Sequence, residues 1–191
     1  MTDFRILKYF KISLHPPRAP VIEEVLWQPP PPNWLKCNTD GASNNSSSAC
    51  GGVFRNHLAE FVVGFAENIG HQSSLIAELS GVMRAIEMAN NHNWRNLWLE
   101  TDSSLAVLAF KSSSIVPWGL RNRWDNCMLL AGNMNFIATH IFREGNDSAD
   151  SLANVGLVLS NIVYYWETPP CIINSVHRNK LGLPSFRFST F

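Results

Sequence analysis

Lys36-Cys37-Asn38-Thr39-Asp40-Gly41-Ala42 is the stretch whose reading decides the fold. Its first half alternates as a half-buried strand, and Gly41 sets a turn directly after an acid. A carboxylate at the end of a strand, released by a glycine, projects where strand ends open onto solvent. Asp-Gly is also an ordinary hairpin dipeptide. Its weight therefore depends on whether other acids reach the same place.

Outward from this stretch, residues 34–40 read as a first strand, followed by a small, polar loop from Ser43 to Ser48. Gly51-Gly52-Val53-Phe54-Arg55 opens a second strand, Asn56-His57 turns the chain, and Glu60 to Phe65 alternates as a third. Three strands joined by short polar turns form an antiparallel meander. Leu75, Leu79, Val82, Ile86 and Ala89 then recur at helical spacing, with Ser73 or Ser74 as the cap and the asparagines at 90, 91 and 93 as the stop. Asn96 to Asp102 is a fourth strand, with Trp98, Glu100 and Asp102 on one face. A short helix over Ser103–Lys111, a helical pattern over 120–131, a fifth strand over Phe136–Phe142 and a last helix over Asn146–Ser160 complete the order. Hairpins followed by crossover units predict an α/β fold, a mixed five-stranded sheet of three antiparallel and then two parallel strands, with helices on both faces.

Before this unit, residues 1–26 mix apolar and basic side chains and run into prolines, which reads as a linker or docking arm in preference to an organelle-targeting segment. Pro29 to Pro32 form a stiff, extended run that cannot lie in a central strand. The expected organisation is an arm and Pro-rich linker over 1–32, a folded domain over 33–160, and a tail over 161–191 with no firm period.

Composition narrows the function. Fifteen basic and 15 acidic side chains give a formal charge of zero, so nucleic-acid affinity has to come from a local patch or from bound cations. Cys37, Cys50, Cys127 and Cys171 form no C-x-x-C pair, and no His cluster accompanies them, which argues against zinc. Apolar runs are too short for a membrane span, and no secretory signal is evident. Reduced thiols, no membrane partner and an intracellular location, nucleus or cytoplasm before an organelle, are expected.

Four carboxylates hold special places. Asp40 ends the first strand, Asp102 ends the fourth, Glu78 flanks the buried stripe of the long helix, and Asp150 lies in the first turn of the last helix. Each has a plain alternative: a turn residue, a helix cap, a flank charge, a partner of the helix dipole. If the first and fourth strands are parallel neighbours, Asp40 and Asp102 open at one sheet end, where ligand sites of such sheets lie. Four acids in one crevice repel unless cations neutralise them. Mg²⁺ or Mn²⁺ is the natural partner. Two such ions about 3.5–4 Å apart can activate a water and stabilise the leaving oxygen of a phosphodiester.

Asn38-Thr39-Asp40-Gly41-Ala42, Ala77-Glu78, Glu100-Thr101-Asp102-Ser103 and the run from Arg143 to Ala153 resemble the type 1 ribonuclease H domain. Within it they are most similar to the plant ribonuclease H-like proteins related to the terminal domain of non-LTR retrotransposon polyproteins. The resemblance covers about residues 36–156 and implies the ribonuclease H-like fold. It also implies an endonuclease that cuts the RNA strand of RNA–DNA hybrids with two Mg²⁺ or Mn²⁺ ions held by Asp40, Glu78, Asp102 and Asp150; a monomer is expected. Gly41, Ser43, Ser74, Ser104, Arg143 and Asn146 are the substrate-contact candidates. The sequence departs from well-studied bacterial and animal members in two places. Their flexible-loop His is replaced by the short turn Phe142–Asn146, leaving His140 inside a strand as a structural residue. Their hybrid-gripping asparagines appear as Ser74 and Leu75, and Lys111, Arg121 and Arg123 are the nearest phosphate-contact candidates. The rival reading is a weak or inactive nucleic-acid-binding or interaction domain derived from a retroelement.

Overall fold

The computed structural model describes Tyr9 and residues 20–189. Most of the arm expected over residues 1–26 lies outside the described residues. Six strands form the main sheet: β2 (Leu35–Ser43), β3 (Ser48–Arg55), β4 (Phe61–Gly70), β5 (Asn96–Thr101), β6 (Asn135–His140) and β7 (Val163–Tyr165). Their spatial order is β6-β5-β2-β3-β4-β7. The meander β2-β3-β4 is antiparallel, β5 and β6 run parallel to β2, and β7 returns antiparallel on β4. A separate ribbon pairs β1 (Val21–Val25) with β8 (Ser185–Ser189).

Helices cover both faces, and the register says which covers which. Directly opposed residues of an antiparallel pair share a face. Gly41 lies opposite Cys50 and Asp40 opposite Gly51. A Cβ on Gly41 would strike Ala77 and Glu78 of α1 (Ser74–Asn91), whereas one on Gly51 would strike Leu152 and Ala153 of α4 (Asp147–Gly156). So α1 lies over the odd-numbered residues of β2 and α4 over the even-numbered ones. The main core forms on the α1 side, where Leu79, Val82 and Ile86 meet Cys37, Phe54 and Leu99 together with α2 (Ser104–Ala109) and α3 (Arg121–Gly132). Ser73 caps α1, its side chain accepting from the Ile76 N–H.

Three expectations need correction. The first strand does not stop at Asp40, and Gly41 is not a turn. β2 continues to Ser43 against β3, while its parallel ladder with β5 ends at Thr39–Thr101. Gly41 is needed because a Cβ there would lie 2.4 Å from the Glu78 backbone nitrogen, so only a bare backbone lets α1 approach this closely. Nor is the strand half-buried, since Lys36 and Asn38 on the α4 side are as buried as Cys37. Finally, the sheet has six strands, not five. β7 is three residues long, too short for period two to register.

The segments flanking 33–160 pack on this body. Ile172 and Val176, at the start of and within α5 (Ile173–Lys180), bury against Val53 and Leu152. Trp27 is 2% exposed and packs with Val25, Ala59 and Ile141. No helix among the described residues is long and apolar enough to cross a membrane.

Candidate active site

Where the β2–β5 ladder ends, the two strands part. The next residue of each is an acid, Asp40 and Asp102. The Gly41 contact presses α1 against this opening and delivers Glu78 to it. One carboxylate oxygen each from Asp40, Glu78 and Asp102 lies within 4.8 Å of the others. These three line a crevice of about 340 Å³ together with Gly41, Arg143 and Asp150. Asp150 stands outside the tight group of three. One of its oxygens accepts from Arg143 at 3.2 Å and the other from the Asn154 amide at 3.0 Å.

Crowding of acids in a half-dry crevice opposes their ionisation. The Asp40 carboxyl is raised to about 9, first by burial and then by the charges of Glu78 and Asp102. Glu78 is raised to about 8, again by burial first and then by Asp102. Its Oε2 is buried with no hydrogen-bond partner among the described residues. Three carboxylates with an orphaned oxygen form a hard, anionic donor set of the kind Mg²⁺ and Mn²⁺ prefer. The residues present therefore fit such ions, with Asp40, Glu78 and Asp102 as the holders.

Of the expected substrate contacts, Gly41, Ser43, Ser74 and Arg143 line the crevice. Ser104 sits exposed on α2, away from the lining. Asn146 is only 1% exposed, so it does not face a substrate. Although it precedes α4, its side chain does not cap the helix. Its amide instead donates to Asp102 Oδ1 at 3.1 Å and to the Thr39 carbonyl at 3.0 Å. His140 ends β6 with an exposed ring, and its Nε2 lies 3.0 Å from the Asp102 carbonyl oxygen. Arg123 is committed to Glu87 at 2.7 Å, which removes it from the phosphate-contact candidates.

Beneath the crevice lies a polar layer that sequence reasoning missed. Lys36 pairs with Glu100 at 2.8 Å and stacks over the Trp98 ring at 3.9 Å. Arg55 lies over the Trp27 ring at 3.7 Å. Asn38 sits between them, accepting from Trp27 Nε1 and Arg55, both at 2.8 Å, and donating to Glu100 at 3.0 Å and Asn146 at 3.2 Å. Burial lowers Lys36 to about 8 and Arg55 to about 9. The signal available in the sequence was the polar pair Lys36 and Asn38 on the same strand face as Asp40.

Residues 38–156 match the family described as reverse transcriptase-like. An Arabidopsis thaliana protein named for ribonuclease H is 33% identical over 164 residues, covering 83% of this chain. The chain spans only 26% of that relative's length. Among solved structures, ribonuclease H1 of the halophilic archaeon Halobacterium salinarum is 26% identical with a TM-score of 0.58, covering 64% of this chain and 96% of its own. A ribonuclease H1 isolated from compost by a metagenomic approach, solved with an RNA/DNA hybrid, shares the fold at TM-score 0.58 and 19% identity, covering 64% of this chain and 96% of its own. Through the match over residues 38–156, with the sheet order and acid crevice described above, the chain belongs to the reverse transcriptase-like family and is a ribonuclease H-like protein.

Proposed function

We propose that the chain is a metal-dependent endonuclease that hydrolyses the RNA strand of RNA–DNA hybrids. The observation that carries this reading is the convergence of Asp40, Glu78 and Asp102 within 4.8 Å at a sheet end. Asp40, Glu78 and Asp102 would hold two divalent ions, with Asp150 at the rim. Bound there, such ions supply an activated water and charge stabilisation for the leaving 3′ oxygen. The protein's own part is to hold the carboxylates in place and to orient the strand. Gly41 lines the crevice without a side chain, and Ser43 and Ser74 line it beside Gly41. Arg143, its side chain 77% exposed and tethered to Asp150, is placed to meet a phosphate at the rim. Selection of RNA would rest on contacts to 2′-hydroxyls, which DNA lacks. The chain would act as a monomer, in the nucleus or cytoplasm.

One observation favours the rival, binding without cleavage: the chain carries no net formal charge, and Arg143 is the one cation among the described residues that line the crevice. A cleavage assay on a labelled RNA–DNA hybrid with Mg²⁺ or Mn²⁺ separates the two readings. The enzyme cuts the hybrid RNA, spares duplex DNA and is nearly dead as Asp102→Asn. Hybrid binding without cleavage supports the rival, and equal cutting by wild type and variant indicates a contaminating nuclease.

A further inference from the structure

Trp27 lies outside residues 38–156, yet its indole N–H enters the polar layer beneath the acids. The polarity of that layer is set by groups that have only one hydrogen-bonding role. An indole N–H and a guanidinium can only donate. The Asn38 atom facing Trp27 and Arg55 must therefore be its oxygen, and its amide nitrogen must face Glu100 and Asn146. Asn146 is then oriented in turn, with its oxygen toward Asn38 and its nitrogen toward the Thr39 carbonyl and the Asp102 carboxylate. The chain of donors runs one way, from Trp27 to Asp102. Every side chain in it before Asp102 is at least 98% buried, so water does not compete for these bonds. The same indole ring covers Arg55, whose Nε and Nη1 have no hydrogen-bond partner among the described residues.

We infer that Trp27 is a positioning residue for the acid crevice, fixing the Asp102 carboxylate through Asn38 and Asn146. The inference rests on the proposal that Asp102 holds a divalent ion. It makes the segment before the family match part of the site's support, with the arm's docking read out as carboxylate geometry.

The test is Mn²⁺ affinity of the full chain, measured by the electron paramagnetic resonance signal of free Mn²⁺, alongside melting temperature. Trp27→Phe keeps an aromatic ring near Arg55 and removes the N–H together with part of the indole, and the melting temperature reads that packing loss separately. Partners behind metal ligands are commonly worth 10–100-fold, and Trp27 stands two side chains further back, so Mn²⁺ should bind about 3–10-fold more weakly. In an Asn146→Ala background the same change should have no further effect, because the relay is already cut. Ile172→Val, a packing loss behind α4, should lower the melting temperature and leave the affinity unchanged. Asn38→Asp keeps the size and the acceptor but reverses the donor end, and should weaken binding whatever Trp27→Phe does to folding. Should Trp27→Phe and Asn38→Asp both bind Mn²⁺ as wild type does while Asp102→Asn loses it, the relay is refuted and the metal site stands. Should Asp102→Asn bind as tightly as wild type, the metal reading falls and the relay with it. Multiplying effects of Trp27→Phe and Asn146→Ala would reduce Trp27 to a structural role.

Discussion

Asp40→Asn should make the metal-free protein more stable while abolishing its activity. In the folded chain the Asp40 carboxyl is held at about 9, against an ordinary value of 3.8, by burial and by Glu78 and Asp102. The sign follows from proton linkage. The folded state retains a proton that the unfolded chain releases above about pH 4, so stability falls as pH rises from about 4 to about 9. At 1.36 kcal/mol per pH unit, the span from 3.8 to pH 8 sets a ceiling of about 6 kcal/mol. Glu78 contributes part of this shift, and water entering the open crevice screens both acids. The gain on removing this one charge is therefore about 1–3 kcal/mol at pH 8, a rise in melting temperature of about 3–10 °C for a chain of this size. An amide at this position can also donate to Glu78, which needs a partner for its orphaned Oε2. Thermal unfolding in chelator at pH 5, 7 and 9 measures it. The gain should grow at each step, and the variant should lose the response to Mn²⁺. A variant less stable than wild type at pH 8, or a gain independent of pH, would refute the account of mutually repelling acids.

Other outcomes follow from the same geometry. Mn²⁺ should stabilise the wild type by about 2.7 kcal/mol at one hundred times its dissociation constant, more tightly at pH 8 than at pH 6 because protons compete for the same oxygens, and should leave the melting curve of Asp102→Asn unmoved. Gly41→Ala should cost about 2–3 kcal/mol in urea unfolding and weaken Mn²⁺ binding, since the added carbon meets the α1 backbone at 2.4 Å and must displace Glu78. Ile172→Ala should lower the unfolding free energy by about 2–4 kcal/mol, and with it the midpoint of the single cooperative transition, because Ile172 is fully buried against Leu152 and Val53. An unchanged midpoint would show that residues beyond 160 fold independently of the sheet.

What was legible depended on whether a local signal and its tertiary cause coincided. The stripe from Leu75 to Ala89 was legible because period 3.6 in the sequence is the buried face of α1 in space. The parallel placing of β5 beside β2 stood in the sequence only as a condition, and the ladder from Leu35–Leu97 to Thr39–Thr101 meets it. Asp40-Gly41 was misread as a turn because that dipeptide signals turns locally, whereas here glycine answers to a helix packed against the strand from 36 residues further along the chain, at Ala77. β7 has three residues, and Trp27 is followed by a single residue, Gln28, before four prolines, so neither carried a period to read. Asn146 has the type and place of a helix cap, but Asp102, Thr39 and Asn38 hold its amide inward.

The buried polar face of β2 explains why the ends of the chain pack where they do. A strand covered by helices on both sides cannot leave one face to water, so each polar group on that face needs a partner from the protein. β2 meets this with Lys36, Asn38 and Asp40 at successive positions on the α4 side. Asp40 faces the crevice, where ions can answer it. Lys36 and Asn38 lie deeper, and their partners have to come from elsewhere in the chain. Lys36 reaches Glu100 and the Gln28 carbonyl, and Asn38 reaches Trp27 and Arg55. Two of these four partners belong to the segment before the first strand of the family match. Breaking such a layer on one side leaves an unpaired buried charge or amide, which is more costly than never having built it. Residues 21–28, held in turn by the β1–β8 ribbon to the last described strand, thus close the face on which Asp40 is mounted.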